Sequence, residues 1–198
     1  MTCDELLDVL SPEGTPIGTK RRADVHRDGD WHGAFHLWVL SGDSVILQRR
    51  GSHKTAWPGR LDASAAGHLA AGETPLDGLR EAEEELGVRY RADQLTNCGT
   101  FTVDETQADG TANREFQHVF AVRDDRPLAA FTAFDREELE GLVAVPRAAL
   151  AALLAGGPAI GGTAWDGAAV TPLTVRAEEL VPAPYLLAVI EELGMRQL

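Results

Sequence analysis

Between Gly67 and Val88 the chain reads GHLAAGETPLDGLREAEEELGV, a glycine-bounded loop that passes into a helical register and stops on a glycine. The register comes from Leu76, Leu79, Ala82 and Leu86, which recur at helical spacing. Thr74 stands where a helix cap is needed, and Pro75 at the first helical position, where a missing N–H does no harm. Gly87 suits the left-handed position just past a helix end. The segment therefore predicts a helix over about 75–86, entered from a loop to which Gly67 and Gly72 give backbone freedom. Glu81, Glu84 and Glu85 stand at i, i+3 and i+4 and share one face, while Glu83 points elsewhere. Like charges so close weaken a helix, and a cation relieves the repulsion. Hard oxygen ligands at this density suit Mg2+ or Mn2+. Arg80 directly precedes the cluster, and Glu73, in the loop at the helix start, is its natural ion-pair partner.

The remaining pattern supplies mostly strands. AFHLWVL and VILQRR, separated by a Gly-Asp turn, read as a β-hairpin. LLDVL reads as a short strand within a polar, turn-rich stretch over 1–30, and 51–60 as a loop. LDASAAGHLA, 61–70, reads as a strand ending in the glycine loop. LTNCGTFTVDE and EFQHVFAV are two strands flanking a polar turn, and FDREELEGLVAVP is a turn into a short strand. PRAALAALLAG is a short helix stopped by Gly156 and Gly157, GGPAIGGTAWDGAAVTPL reads as loop, and PAPYLLAVIEELG as a helix with Tyr185, Leu186, Val189, Ile190 and Leu193 on its apolar side. Strands outnumber helices, which predicts an α+β chain with helices packed on a mixed sheet. The expected organisation is one domain over 1–198, with an N-terminal strand and turn region (about 1–30) and a C-terminal helical extension (about 157–198).

Charge narrows the function. The net charge is −13, from 18 Lys+Arg against 31 Asp+Glu, so general nucleic-acid binding is not expected. A small anionic substrate remains compatible, because a bound divalent cation reverses the field locally. No run of about 18 apolar residues is present, so no membrane span is expected. MTCDELLDVL lacks the pattern of a secretory signal, and Cys3 and Cys98 form no metal or disulfide framework. A reduced, cytoplasmic location is expected.

The segment 67–88 resembles the Nudix signature: a glycine, five residues, a glutamate, seven residues, then Arg-Glu-apolar-x-Glu-Glu-x-Gly-apolar. Gly67, Glu73, Arg80, Glu81, Ala82, Glu84, Glu85, Gly87 and Val88 fill it. One departure is that six residues, not seven, separate Glu73 from Arg80, so either the loop is one residue shorter or the helix starts later. WPGRLDASAAGHLAAGE, with HGAFHLWVL before it and REFQHVF after it, is similar to the branch close to isopentenyl-diphosphate isomerase. The resemblance covers about residues 1–150.

It implies a mixed β-sheet sandwiched between helices (α/β/α) and a hydrolase that cuts a diphosphate linkage with an activated water. Glu81, Glu84 and Glu85 would bind Mg2+ (or Mn2+), joined by Glu115 as ligand or base. Arg80 would hold the catalytic carboxylates, and Glu138 is a weaker choice of base. Arg50, His68 and Gly67 would meet the substrate. His32 and His68 match metal-binding histidines of the isomerase. The isomerase also needs a cysteine where this chain has Ala66. Isomerisation and a catalytically silent binding module are the alternatives to a hydrolase acting on a nucleoside-diphosphate-linked or related small molecule. The resemblance leaves a homodimer open.

Overall fold

The computed structural model describes residues 5–54, 56–106 and 112–195; Cys3 lies outside them. The hairpin read from the sequence is β3 (Trp31–Ser41) and β4 (Ser44–Arg50), turning through Gly42, which has φ 55. Ahead of it lie β1 (Leu6–Leu10), β2 (Pro16–Arg21) and a two-turn helix α1 (Arg22–Asp28). After it come β5 (Leu61–Asp62), β6 (Ala65–His68), α2 (Arg80–Leu86), β7 (Leu95–Thr106) and β8 (Ala112–Arg123). The chain continues through β9 (Leu139–Pro146), α3 (Arg147–Leu154), β10 (Ile160–Trp165), β11 (Val170–Val175) and α4 (Leu186–Met195).

All the strands join one sheet, whose longest path runs β11-β10-β9-β4-β3-β1-β2. Its centre is β3. Along one edge β3 pairs with β8 in parallel, His32 beside Glu115 and Ala34 beside Gln117. Its other edge is shared, with β6 antiparallel at Ala34–Leu37 and β4 antiparallel at Val39–Ser41. The single strand expected over 61–70 is thus split in two, because the chain leaves β4 and joins β3. Ser64 makes the crossing, accepting the Val39 N–H at 2.7 Å and donating to the Ile46 carbonyl.

Alternation along β3 builds the two faces. Phe35, Leu37 and Val39 pack with Phe120, Val122 and the Ala82 and Leu86 side of α2. Trp38 and Leu40 pack with Val119, Ala121, Leu150 of α3 and Leu186, Val189, Ile190 and Leu193 of α4. The sheet is therefore covered by helices on both sides, the α/β/α arrangement expected.

Three local expectations are corrected. The helix expected over 75–86 begins later, with a 3-10 turn at Asp77–Leu79 and α2 only from Arg80. Thr74 does not cap it as an acceptor; its N–H and hydroxyl both donate to Asp77. The reason is packing at Gly78, where a Cβ would lie 2.5 Å from Phe35 Cβ, so this first turn is pressed onto β3. The N-terminal stretch contains α1, with only Val25 buried, too short to show helical periodicity. The stretch read as loop, 156–173, contains most of the β10–β11 hairpin, turned by Asp166 and Gly167. Asp166 Oδ1 accepts the N–H groups of Ala168 and Ala169, each at 2.8 Å. Among the described residues no helix is long and apolar enough to cross a membrane.

Candidate active site

The site begins where β6 lies against β3 and α2 crosses behind it. Burying Ala82 and Leu86 turns Glu81 and Glu85 inward under β6; both are over nine-tenths buried. Gly67 makes room, because a Cβ there would sit 2.2 Å from the Glu81 carboxylate. Glu85 Oε2 accepts the Ala66 N–H at 2.9 Å and the Gln48 amide at 3.3 Å. Burial pushes the Glu85 carboxyl up to about 8, against the pull of the Ala66 N–H. Burial likewise raises Glu81 to about 7, against the pull of Arg80. Glu84 stands at the exposed rim, 3.3 Å from Arg80 Nη1.

Arg80 ties this face to the loop. Its Nε donates to Glu73 Oε1 at 2.9 Å, and its Nη2 to Glu73 Oε2 at 3.3 Å and to the His68 carbonyl at 3.1 Å. Glu73 is itself fixed by the Ala70 N–H at 2.7 Å. The Glu73–Arg80 contact, open in the sequence, is therefore made despite the short spacing. Starting the α-helix later absorbs the missing residue.

Beside the carboxylates lies a cluster of imidazoles. His32 comes from β3, His68 from β6 and His26 from α1, with ring centroids 4.9–5.0 Å apart. One nitrogen of each lies within 4.8 Å of the others. Glu115, the β8 neighbour of His32, places Oε1 3.7 Å from Nε2 of both His32 and His68. Its Oε2 accepts the Gln117 amide at 2.7 Å. Burial alone raises the Glu115 carboxyl, but the nearby imidazoles, His68 foremost, outweigh it and hold the group well below the usual carboxylate range. Burial, and then the neighbouring imidazoles, bring His26 down to about 4.

His32 fixes the direction of the cluster. Its Nδ1 lies 3.0 Å from the Asp30 carbonyl, an acceptor, so Nδ1 carries the hydrogen and Nε2 a lone pair. That Nε2 is buried without a hydrogen-bond partner. A buried lone pair facing a carboxylate and two further imidazoles fits a divalent cation. The carboxylate set of α2 fits a second, harder one.

The loop after β4, described at 51–54 and 56–60, is held by Arg49 and Arg50 at the end of β4 and by Lys54. Arg50 gives Nη1 to Asp62 at 2.9 Å and Nε to the Ala56 carbonyl at 3.2 Å, so much of its guanidinium is engaged within the protein. Arg49 donates to the Gly59 carbonyl at 3.0 Å. Lys54 pairs with Glu138. Trp57 adopts φ 51, which is rare for a bulky residue, and Arg60 lies over its ring at 4.9 Å. Trp38, by contrast, is core.

The family model of the NUDIX domain matches residues 30–162, more than half of the chain. The chain belongs to the Nudix family. It is 35% identical over 146 residues to an uncharacterised Nudix hydrolase of Clostridium acetobutylicum, covering 72% of this chain and 70% of that one. It is 40% identical over 150 residues to Nudix hydrolase 3 of Arabidopsis thaliana, spanning 72% of this chain but only 19% of that protein. It is also 36% identical over 151 residues to an isopentenyl-diphosphate Delta-isomerase of Corynebacterium diphtheriae, covering 71% and 78% of the two chains. Among solved structures it shares its fold with a Deinococcus radiodurans protein, at a TM-score of 0.63 and 21% identity, over 95% of this chain and 98% of that one.

The matched Nudix region starts at residue 30, so α1 and His26 lie outside it. His26 was not singled out in the sequence, whereas His32 and His68 were. The only signal for it was a histidine six residues before His32, and its approach depends on the fold of α1.

Proposed function

We propose that this Nudix hydrolase cleaves the diphosphate linkage of a nucleoside-diphosphate-linked or related small molecule, with Mg2+ or Mn2+, by attack of a water on phosphorus. The observation that carries the reading is the pair Glu81 and Glu85. Both carboxylates are buried, Glu81 beneath Gly67 and Glu85 against the Ala66 N–H, and Arg80 is shared between Glu81, at 2.5 Å, and Glu73, at 2.9 Å. Such a pair is costly without added positive charge.

Glu81, Glu84 and Glu85 would hold one cation, and His26, His32, His68 and Glu115 another. Bound divalent cations polarise phosphoryl oxygens and lower the pKa of water. The residues supply the rest. Arg80 orients Glu73 and Glu81, and so sets the shape of the carboxylate face. Glu85 is held by the Ala66 N–H. Glu115 and the α2 glutamates would take the water's proton. Arg50, at the end of β4, and Lys54, in the loop after it, both act on Glu85 and would offset the negative charge of the phosphates.

Hydrolysis is favoured over isomerisation by Ala66. Its methyl shares a face with His36 and has no exchangeable proton to offer carbon. The test is phosphate release, after a coupling phosphatase, from a panel of diphosphate compounds with Mg2+, with Mn2+ and with chelator. Cleavage of one class that stops with chelator is the expected result. Conversion of isopentenyl diphosphate to its isomer, with no phosphate released from any member, would overturn it.

A further inference from the structure

His36 stands four residues beyond His32 on β3, about 13 Å along the strand at roughly 3.3 Å per residue. The even spacing puts both rings on one face of the sheet. Ala66 is its neighbour on β6, as His68 is the neighbour of Ala34. Beyond His36 the face ends at Tyr185, just ahead of α4, whose ring stacks on Phe101 of β7 at 4.9 Å. Tyr185 is buried, but His36, Ala66 and Phe101 all keep contact with solvent although they lie over the middle of the sheet. His36 thus lies half-buried on the face that carries the imidazole cluster, with Ala66 beside it on β6 and the Tyr185 ring next to it.

The hydrogen bonds around His36 leave one arrangement of protons. The Tyr185 hydroxyl lies 2.6 Å from His36 Nδ1 and 3.3 Å from the Trp38 indole nitrogen. An indole N–H only donates, so the phenol oxygen accepts from Trp38. The phenol's own hydrogen then pairs with His36 Nδ1, since leaving it unpaired in a buried site is costly. Burial keeps the ring neutral. A neutral imidazole that accepts at Nδ1 carries its hydrogen at Nε2.

We propose that His36 is a specificity-determining residue: its Nε2–H, fixed by Tyr185, donates to an oxygen on the substrate's organic group, so that the site prefers a diphosphate whose organic group is short and bears a hydroxyl or carbonyl. The proposal rests on the reading of the carboxylate and imidazole face as the diphosphate site. A substrate held by its diphosphate at the imidazole cluster would reach His36, roughly 13 Å along β3, through a chain of a few atoms.

The test is calorimetric binding, with Mg2+ present, of three non-hydrolysable probes: methylenebisphosphonate, its butyl ester and its 4-hydroxybutyl ester. The hydroxybutyl ester is expected to bind about tenfold more tightly than the butyl ester, the effect of one hydrogen bond. His36→Asn should remove that preference. His36→Gln, whose amide nitrogen reaches the Nε2 position, should restore part of it. Tyr185→Phe should weaken it, and long-range proton–nitrogen spectra should show the ring hydrogen redistributed between Nδ1 and Nε2. Affinity for methylenebisphosphonate should stay constant in all three variants. A wild-type protein that binds both esters equally overturns the role of His36 and leaves the diphosphate site standing. A wild-type protein that binds none of the three probes overturns the reading of the site, and the proposal with it.

Discussion

At the scale of the residue, the site depends on one space left open and one buried charge. One is the missing Cβ of Gly67. Gly67→Ala would put a methyl 2.2 Å from the Glu81 carboxylate and force it out of the site. Activity should fall by about a hundredfold, an effect of misplacement near the chemistry, while the melting temperature changes little. The other is the charge of Glu85. Its pKa in the folded protein is raised from 4.5 to about 8. Below pH 4.5 the group is protonated whether folded or not, so it costs nothing. As pH climbs to about 8 the metal-free protein loses stability, because folding then opposes ionisation. Glu85→Gln in chelator should therefore raise the melting temperature by on the order of 5 °C at pH 8 and hardly at all at pH 5. The same variant should lose metal-dependent cleavage by orders of magnitude. A difference in melting temperature between the two proteins that is the same at pH 5 and pH 8 would count against a buried, uncompensated carboxylate.

At the scale of the element, α2 shows what sequence carries and what it omits. Its apolar stripe, its glutamates and its final glycine were legible because helical spacing fixes which residues share a face. Its start was not, because the Phe35–Gly78 contact that pins the preceding 3-10 turn involves residues far apart in the chain. The end of α2 is held more rigidly than its propensity suggests. Gly87 has φ 68, and a Cβ there would lie 2.4 Å from the Ala133 carbonyl oxygen. Gly87→Ala should destabilise the fold by about 2 kcal/mol and lower the melting temperature by roughly 4–8 °C. Cleavage by the surviving folded fraction should be unchanged in its metal requirement, which assays well below the transition would check. The β10–β11 hairpin was missed for a different reason. Most of β11 is exposed and carries little apolar alternation, although Asp166-Gly167 is a hairpin turn signal on its own.

At the scale of the whole molecule, the C-terminal part is core rather than an appendage. Ile160, Val175, Leu180, Tyr185, Leu186, Val189, Ile190 and Leu193 all pack with Trp38, Leu47 and Val143. A chain ending at Ala155 should fail to give a cooperative urea transition, and near-ultraviolet circular dichroism should show lost tertiary packing. The same part carries Tyr185 to His36, which no local pattern announced. The imidazole cluster is likewise a product of tertiary structure. Its histidines come from α1, β3 and β6 and its carboxylate from β8; His32, His68 and Glu115 stood in stretches with a recognisable resemblance, and His26 did not.

The central claim is that water attacks phosphorus at a metal-dependent site. Cleavage in oxygen-18-labelled water tests it most directly, with the products weighed by mass spectrometry. One labelled oxygen should appear in a phosphorus-bearing product, only with Mg2+ or Mn2+, and not with the Glu85→Gln protein. Label in the organic alcohol, or a rearranged organic group with its diphosphate intact, would contradict the account.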